Sequence, residues 1–359
     1  MNPRRRATVI AVAGTAAGAT GLGVLAVPAG AGTAPELPPV EAQALVESVL
    51  RGDAPALSGT VAVESDLGLP SMRGIPALQA ESARVFYDGE GRSRIALERE
   101  SGEFTVVASD EDIWTYDSAD NTAGHTELPA DAQKPARGHD AVDPTALAQR
   151  MVAAAGESST ISVDGTASVA DRPAYELVLT PKPDERTLLR EVRIAVDSET
   201  RLPLRLSVLT HGTTEPAVEV GFDDIDFGAQ PAGLFEFSPP ENAEVTERTP
   251  GDGAHREGPR DDGSVETVGE GWDTVVLTRA PAGLAALGRD SADNPTGEDT
   301  PGPERVRELL GQVGERVSGP YGSGYLISTS AATALVTDDG RVAVGAVPEQ
   351  VLTEALSSR

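Results

Sequence analysis

Four histidines, His125, His139, His211 and His255, are the side chains best suited to hold a transition metal or move a proton near neutrality. They stand far apart in polar or loop-like stretches, and no His-x-x-x-His pair sets two imidazoles on one helical face. Asp223, Asp224 and Asp226 cluster as ligands of a hard cation would. No EF-hand spacing surrounds them, though, and carboxylates at strand edges are ordinarily solvated. Ser323, within Tyr321-Gly-Ser-Gly-Tyr325, lacks the full Gly-x-Ser-x-Gly elbow and reads as a turn. Zero cysteines exclude a thiol nucleophile, thiolate zinc, disulfides and a lipid-modified cysteine together. With no acid–base or nucleophile constellation, the chain reads as a non-enzyme without metal or cofactor.

The amino terminus carries an address. Arg4-Arg5-Arg6 precede a run from Ala7 to Pro35 that contains no charged residue, with Ala29-Gly30-Ala31 as a small-residue site. That order is a secretory signal peptide over residues 1–31, cleaved near Ala31, and it implies an extracytoplasmic protein. An uncleaved membrane tether is the alternative, since the run exceeds the roughly 20 residues that span a bilayer, but glycines dilute its apolarity. The formal charge of −28 becomes −31 without those three arginines. Such a surface repels phosphate backbones and anionic headgroups, so nucleic acid is not an expected partner. A disulfide-free exported chain of 359 residues must rely on packed cores, about two of them by length.

The elements follow from periodicity. Residues 36–52 read as an amphipathic helix with Val40, Ala44, Val46, Val49 and Leu50 near one face and Gly52 as its stop. Alternating strands are expected at 59–65, 83–87, 94–98, 104–108 and 113–116, with turns at Asp88-Gly89, Glu90-Gly91 and Ser101-Gly102. Asp143 and Pro144 signal the start of a second helix. Strands resume at 161–167, 174–180, 190–196, 202–209 and 217–222, closing with 234–237. Residues 246–271, rich in Gly, Pro and charge, read as a flexible linker between a first domain at 36–245 and a small α+β domain at 272–359. In the latter, a strand is expected at 272–278, a helix at 304–317, strands at 325–328, 334–337 and 342–347, and a last helix from Pro348.

Several stretches together resemble the LolA-type lipoprotein-carrier fold and the related MucB/RseB group of periplasmic sigma-factor regulators. Leu57-Ser58-Gly59-Thr60-Val61 is similar to the family's first strand, and Trp114-Thr115-Tyr116-Asp117 to a Trp-x-Tyr-Asp hairpin. Arg172-Pro173-Ala174-Tyr175-Glu176-Leu177, Arg193 to Asp197 with Leu202 to Arg205, Val220 to Ile225, and Phe235 to Pro240 resemble its later strands. The resemblance implies an α+β fold, an antiparallel half-barrel of about eleven strands with covering helices, holding lipid or lipoprotein acyl chains in an apolar cavity. It implies as an alternative a regulator that binds an anti-sigma factor ectodomain in envelope-stress signalling. Leu67, Leu69, Met72, Ile75 and Leu78 lie in a Gly/Pro-broken apolar loop expected to cover that cavity and touch lipid. Trp114 and Tyr116 share one strand face and are weighed as lipid contacts against plain core packing.

Overall fold

The computed structural model describes residues 35–67, 82–99, 101–109, 111–128, 155–248, 265–279 and 310–357. Two sheets dominate, both within the compact unit Leu37–Arg359. The first has twelve strands: β1 Leu57–Ser65, β2 Ser82–Tyr87, β3 Ser93–Arg99, β4 Gly102–Ala108, β5 Asp112–Asp117, β6 Thr122–Glu127, β7 Ser159–Val169, β8 Arg172–Pro181, β9 Leu189–Asp197, β10 Pro203–Thr210, β11 Val218–Phe227 and β12 Glu244–Arg248. Their spatial order is β12-β6-β5-β4-β3-β2-β1-β11-β10-β9-β8-β7. Every pairing is antiparallel except β12 on β6. The sheet is open, with β12 and β7 at its two edges. The half-barrel expectation is met, with twelve strands where eleven were anticipated.

The second sheet runs β13-β14-β18-β17-β16-β15, built from β13 Glu266–Val268, β14 Val275–Arg279, β15 Glu315–Gly319, β16 Gly322–Ser328, β17 Thr333–Thr337 and β18 Arg341–Gly345. Helix α2, Glu349–Ser357, lays Val351, Leu352, Ala355 and Leu356 on it, against Val275, Leu326, Leu335 and Ala343. Helix α1, Ala42–Arg51, covers part of the first sheet. Its Leu45 is fully buried against Tyr175, Leu177 and Val196, with Val46 and Val49 beside it. Burying one such leucine stabilises by roughly 1.5–3 kcal/mol.

Four local expectations are corrected. Residues 234–237 do not form a strand; Ala232–Phe235 is a 3-10 turn that buries Phe235 under the Arg92 guanidinium, 5.3 Å from the ring centroid. The chain pairs later instead, as β12. Trp272 does not open a strand, because a reciprocal cap between Glu270 and Asp273 closes a 3-10 turn at Gly271–Asp273. The expected helix at 304–317 is helical at 310–313 and then gives way at Gly314 to β15, whose Val317 pairs with Gly324. A Cβ at Gly314 would sit 2.9 Å from the Leu326 carbonyl oxygen, so only glycine permits this junction. Finally, β13 forms inside the stretch read as linker. The helix expected from Asp143 falls almost wholly outside the described residues, which include only helical residues 155–158.

Candidate functional site

Strand alternation sorts the twelve-stranded sheet into two chemically different faces, since residues directly opposite in register share a face. On one face, Ile161 and Val163 of β7 oppose Leu179 and Leu177 of β8. Leu177 and Leu179 oppose Ile194 and Val192 of β9, which in turn oppose Leu206 and Val208 of β10. Leu206 and Val208 continue to Val220 and Val218 of β11, and Val220 meets Val63 of β1. From β1, Val61 opposes Ala83, Ala83 opposes Leu97, and Leu97 opposes Phe104. Val85, Ile95 and Val106 form a second row beside them. The result is one continuous apolar face from β7 to β4, bordered on β5 by Thr115 and Asp117. Helix α1 sits over its β7–β9 end. Ile95 and Leu206, at 37% and 38% exposure, keep apolar surface in solvent on it.

The opposite face is mixed, with ion pairs set among the buried apolar residues Ala96, Val107, Val178 and Ala195. Glu176 receives Arg205 Nη2 and Arg193 Nη1, each at 3.1 Å. Ser207 Oγ donates to Glu219 Oε2 at 2.6 Å, and Arg84 Nη2 to Glu103 Oε2 at 2.9 Å. The close β1–β11 approach that fixes this register needs Gly59, where a Cβ would lie 2.5 Å from the Asp224 carbonyl oxygen. Glycine therefore holds the bulge between Thr60 and Val61.

Trp114 and Tyr116 lie on this mixed face. Trp114 stacks on His125 with ring centroids 4.2 Å apart and 19° between planes. Phe237 packs against both aromatic rings, 5.6 Å from Trp114 and 5.8 Å from Tyr116. Tyr116 Oη donates to Asn121 Oδ1 at 3.0 Å. These contacts are internal packing beneath the segment that follows β11. Of the loop residues read as lipid contacts, Leu67 lines a 640 Å³ cleft beside Asp66, Thr210 and Ser330, while Leu69, Met72, Ile75 and Leu78 lie outside the described residues. Ile95 and Leu206 were not singled out by sequence; the signal that could have found them is their in-register place among Val, Leu and Phe of neighbouring strands.

His125 has a role other than metal binding. Among the described residues no group of three or more His, Asp or Glu side chains could hold an ion. The imidazole instead bridges Asp112 Oδ1 at 2.9 Å and Glu247 Oε2 at 2.7 Å, tying the edge strand β12 to β5. A neutral imidazole donates through one nitrogen only, so both bridges are donated together by the imidazolium. The hydrogen bond to Asp112, reinforced by Glu247 and opposed by burial, raises the His125 pKa above its usual value. The contribution of this bridge is therefore complete below the ordinary histidine pKa and is lost as pH rises through the raised folded value. Comparing His125→Gln with the parent across that window, the parent's advantage in thermal stability is expected to shrink as pH rises. An advantage that is flat with pH would remove the imidazolium from the account.

No family model matches the chain, and no curated protein matches it. Solved structures of similar fold are found. A chain of the Pseudomonas aeruginosa MucA/MucB complex is 16% identical with a TM-score of 0.44, covering 88% of this chain and 96% of that one. The Mycobacterium tuberculosis lipoprotein LppX is 9% identical with a TM-score of 0.31, covering 54% and 97%. A LolA-superfamily protein of Nitrosomonas europaea is 16% identical with a TM-score of 0.23, covering 55% and 99%. The resemblance read in the sequence is to this same group, and at such identities the likeness is one of fold alone.

Proposed function

We propose that the chain is an exported, non-catalytic binding protein whose apolar sheet face accommodates acyl chains of a lipid or lipoprotein. The observation that carries this reading is the continuous apolar face of the twelve-stranded sheet, free of the ion pairs that cross the other face, with Ile95 and Leu206 exposed on it. An alkyl chain suits such a face because few polar groups along it are left without partners. On this proposal the loop carrying Leu67, Leu69, Met72, Ile75 and Leu78 closes over the same face, and residues 1–31 supply the export signal. No helix among the described residues is long and apolar enough to cross a membrane. The test is mass spectrometry of lipids that co-purify with residues 32–359. Ile95→Asp with Leu206→Asp is expected to lower the bound lipid at least tenfold while preserving the fold, because both sites already meet solvent. Full retention of lipid in that variant would sink the reading.

A regulator that docks an anti-sigma ectodomain is the second reading, favoured by the joint between the sheets. Thr187 Oγ1 and Leu188 N both donate to the Ala346 carbonyl oxygen, at 2.7 and 2.9 Å. The nearby cleft is lined by Thr210, Thr213, Thr214, Ser328, Thr329 and Ser330; Thr210, Thr213, Thr329 and Ser330 bond within the chain, and Thr214 and Ser328 are the hydroxyls offered to an extended peptide backbone. Pull-down of anti-sigma ectodomains by the full chain, with and without Thr214→Val, separates this reading from the carrier.

A further inference from the structure

At one end of the apolar face, where β3, β4 and β5 run into their turns, Arg99 shares the face of Leu97 and pairs in register with Gly102, one step beyond the Leu97–Phe104–Asp117 row. The Arg99 side chain is only 7% exposed. Its Nη2 donates to Asp117 Oδ1 at 2.7 Å, and its guanidinium carbon lies 5.6 Å from the Phe104 ring centroid. Its Nε, also buried, finds no acceptor among the described residues. A buried donor without a partner is uncommon in native proteins and calls for an explanation.

We infer that Arg99 Nε is the polar anchor of the apolar face, reserved for a neutral oxygen acceptor at the head of an acyl chain, an ester or amide carbonyl. The inference rests on the acyl-chain reading and adds to it the chemical class of the headgroup. The alkyl part would lie along Leu97, Ile95 and Val85, and the carbonyl oxygen would fill the vacant hydrogen bond of the guanidinium. Neutrality of the acceptor follows from Asp117. Burial pushes its carboxyl up, but the Arg99 hydrogen bond and charge together with the backbone N–H groups of Ala119 and Asp120 outweigh that and hold its pKa below the usual carboxylate value, so it is ionised and already balances the arginine. A second carboxylate at the same guanidinium would face that charge at close range in a desolvated place. A plain hydrocarbon would leave the Nε donor unsatisfied.

The test is displacement of N-phenylnaphthylamine from the full chain by methyl laurate, laurate and dodecane. The ester is expected to bind about tenfold more tightly than the alkane, the scale of one hydrogen bond to a charged donor, and more tightly than the carboxylate. The paired variant Arg99→Met with Asp117→Asn, which leaves no lone buried charge, is expected to keep alkane binding and erase the preference for ester. Arg99→Lys retains the ion pair without the Nε–H and is expected to lose the preference as well, which covers the case in which the paired variant does not fold. Asp117→Asn alone is expected to raise laurate to the level of the ester. Equal binding of ester and alkane by the parent, or an ester preference surviving both arginine variants, would overturn the headgroup assignment alone. Failure of every alkyl ligand and of the dye to bind would overturn the acyl-chain reading beneath it.

Discussion

Replacing Asp197 by alanine is expected to lower stability by about 3 kcal/mol, the low end of what breaking a buried ion pair costs. Asp197 is fully buried at the end of β9 and organises the turn into β10. Its carboxylate accepts Arg172 Nε at 2.5 Å and Nη2 at 3.1 Å, the backbone N–H of Glu199 at 2.9 Å and that of Thr200 at 2.7 Å, and Thr200 Oγ1 at 3.0 Å. Alanine would leave two part-buried turn amides and Arg172 Nε without their acceptor. Two features keep the cost low in its range: Arg172 retains 21% side-chain exposure and has Glu199 as a second partner, 3.0 Å away. Burial alone would raise the Asp197 pKa, but Arg172 and the turn donors outweigh it and hold it below the usual carboxylate value. The contribution is therefore present above the ordinary aspartate pKa and lost as pH falls through the depressed folded value. Urea unfolding of Asp197→Ala and Asp197→Asn near neutrality and in acid checks both statements. The gap from the parent should narrow in acid, and a gap that widens there would contradict the sign.

The turn that Asp197 holds also shows what the sequence could and could not convey. Strands β8 to β11 were legible because Tyr, Leu, Val and Ile alternate with Glu, Arg and Ser, so period and face were written in the same residues. Strand β6 was not, since Thr-Ala-Gly-His-Thr-Glu carries almost no apolar signal; its place comes from pairing with β5 and from the His125 bridge. Strand β12 failed to declare itself for the same reason, and its parallel docking on β6 is a long-range choice that local pattern does not encode. The absence of nucleophile and metal spacings was readable directly. The apolar face was readable strand by strand, but joining the strands into one surface required the register. Trp114 and Tyr116 drew attention as large aromatics on one strand face. Which face that was follows from their register opposite Val107 and Thr105, and Phe237, more than a hundred positions away, packs on them there.

Leu352→Ala is expected to destabilise the second sheet by about 2–5 kcal/mol and to do so without loosening the first. Leu352 is fully buried on α2, in a cluster with Val275, Leu335, Ala343, Val347 and Leu356, whose members come from the second sheet, its helix and the turns between them. The clusters around Leu45 and around Ala195 draw only on the first sheet and its surroundings. Hydrogen bonds join the two cores. Leu188 N and Thr187 Oγ1 meet Ala346, Arg186 Nη1 reaches Glu354 Oε2 at 2.6 Å, and the Trp272 indole donates to Ser159 Oγ at 2.7 Å. The Arg186 pair is half exposed on both sides, so it adds little coupling. The buried cluster around Leu352 includes no residue of the first sheet, so a cavity there leaves the packing of β8 and β9 in place. Hydrogen exchange should accelerate in residues 322–345 of the variant while residues 172–197 keep their protection. Loss of protection in both regions together would mean that this handful of polar contacts binds the sheets into one cooperative unit. In that event, ligand on the apolar face would be felt at the cleft, and the carrier and regulator readings would become two ends of one mechanism.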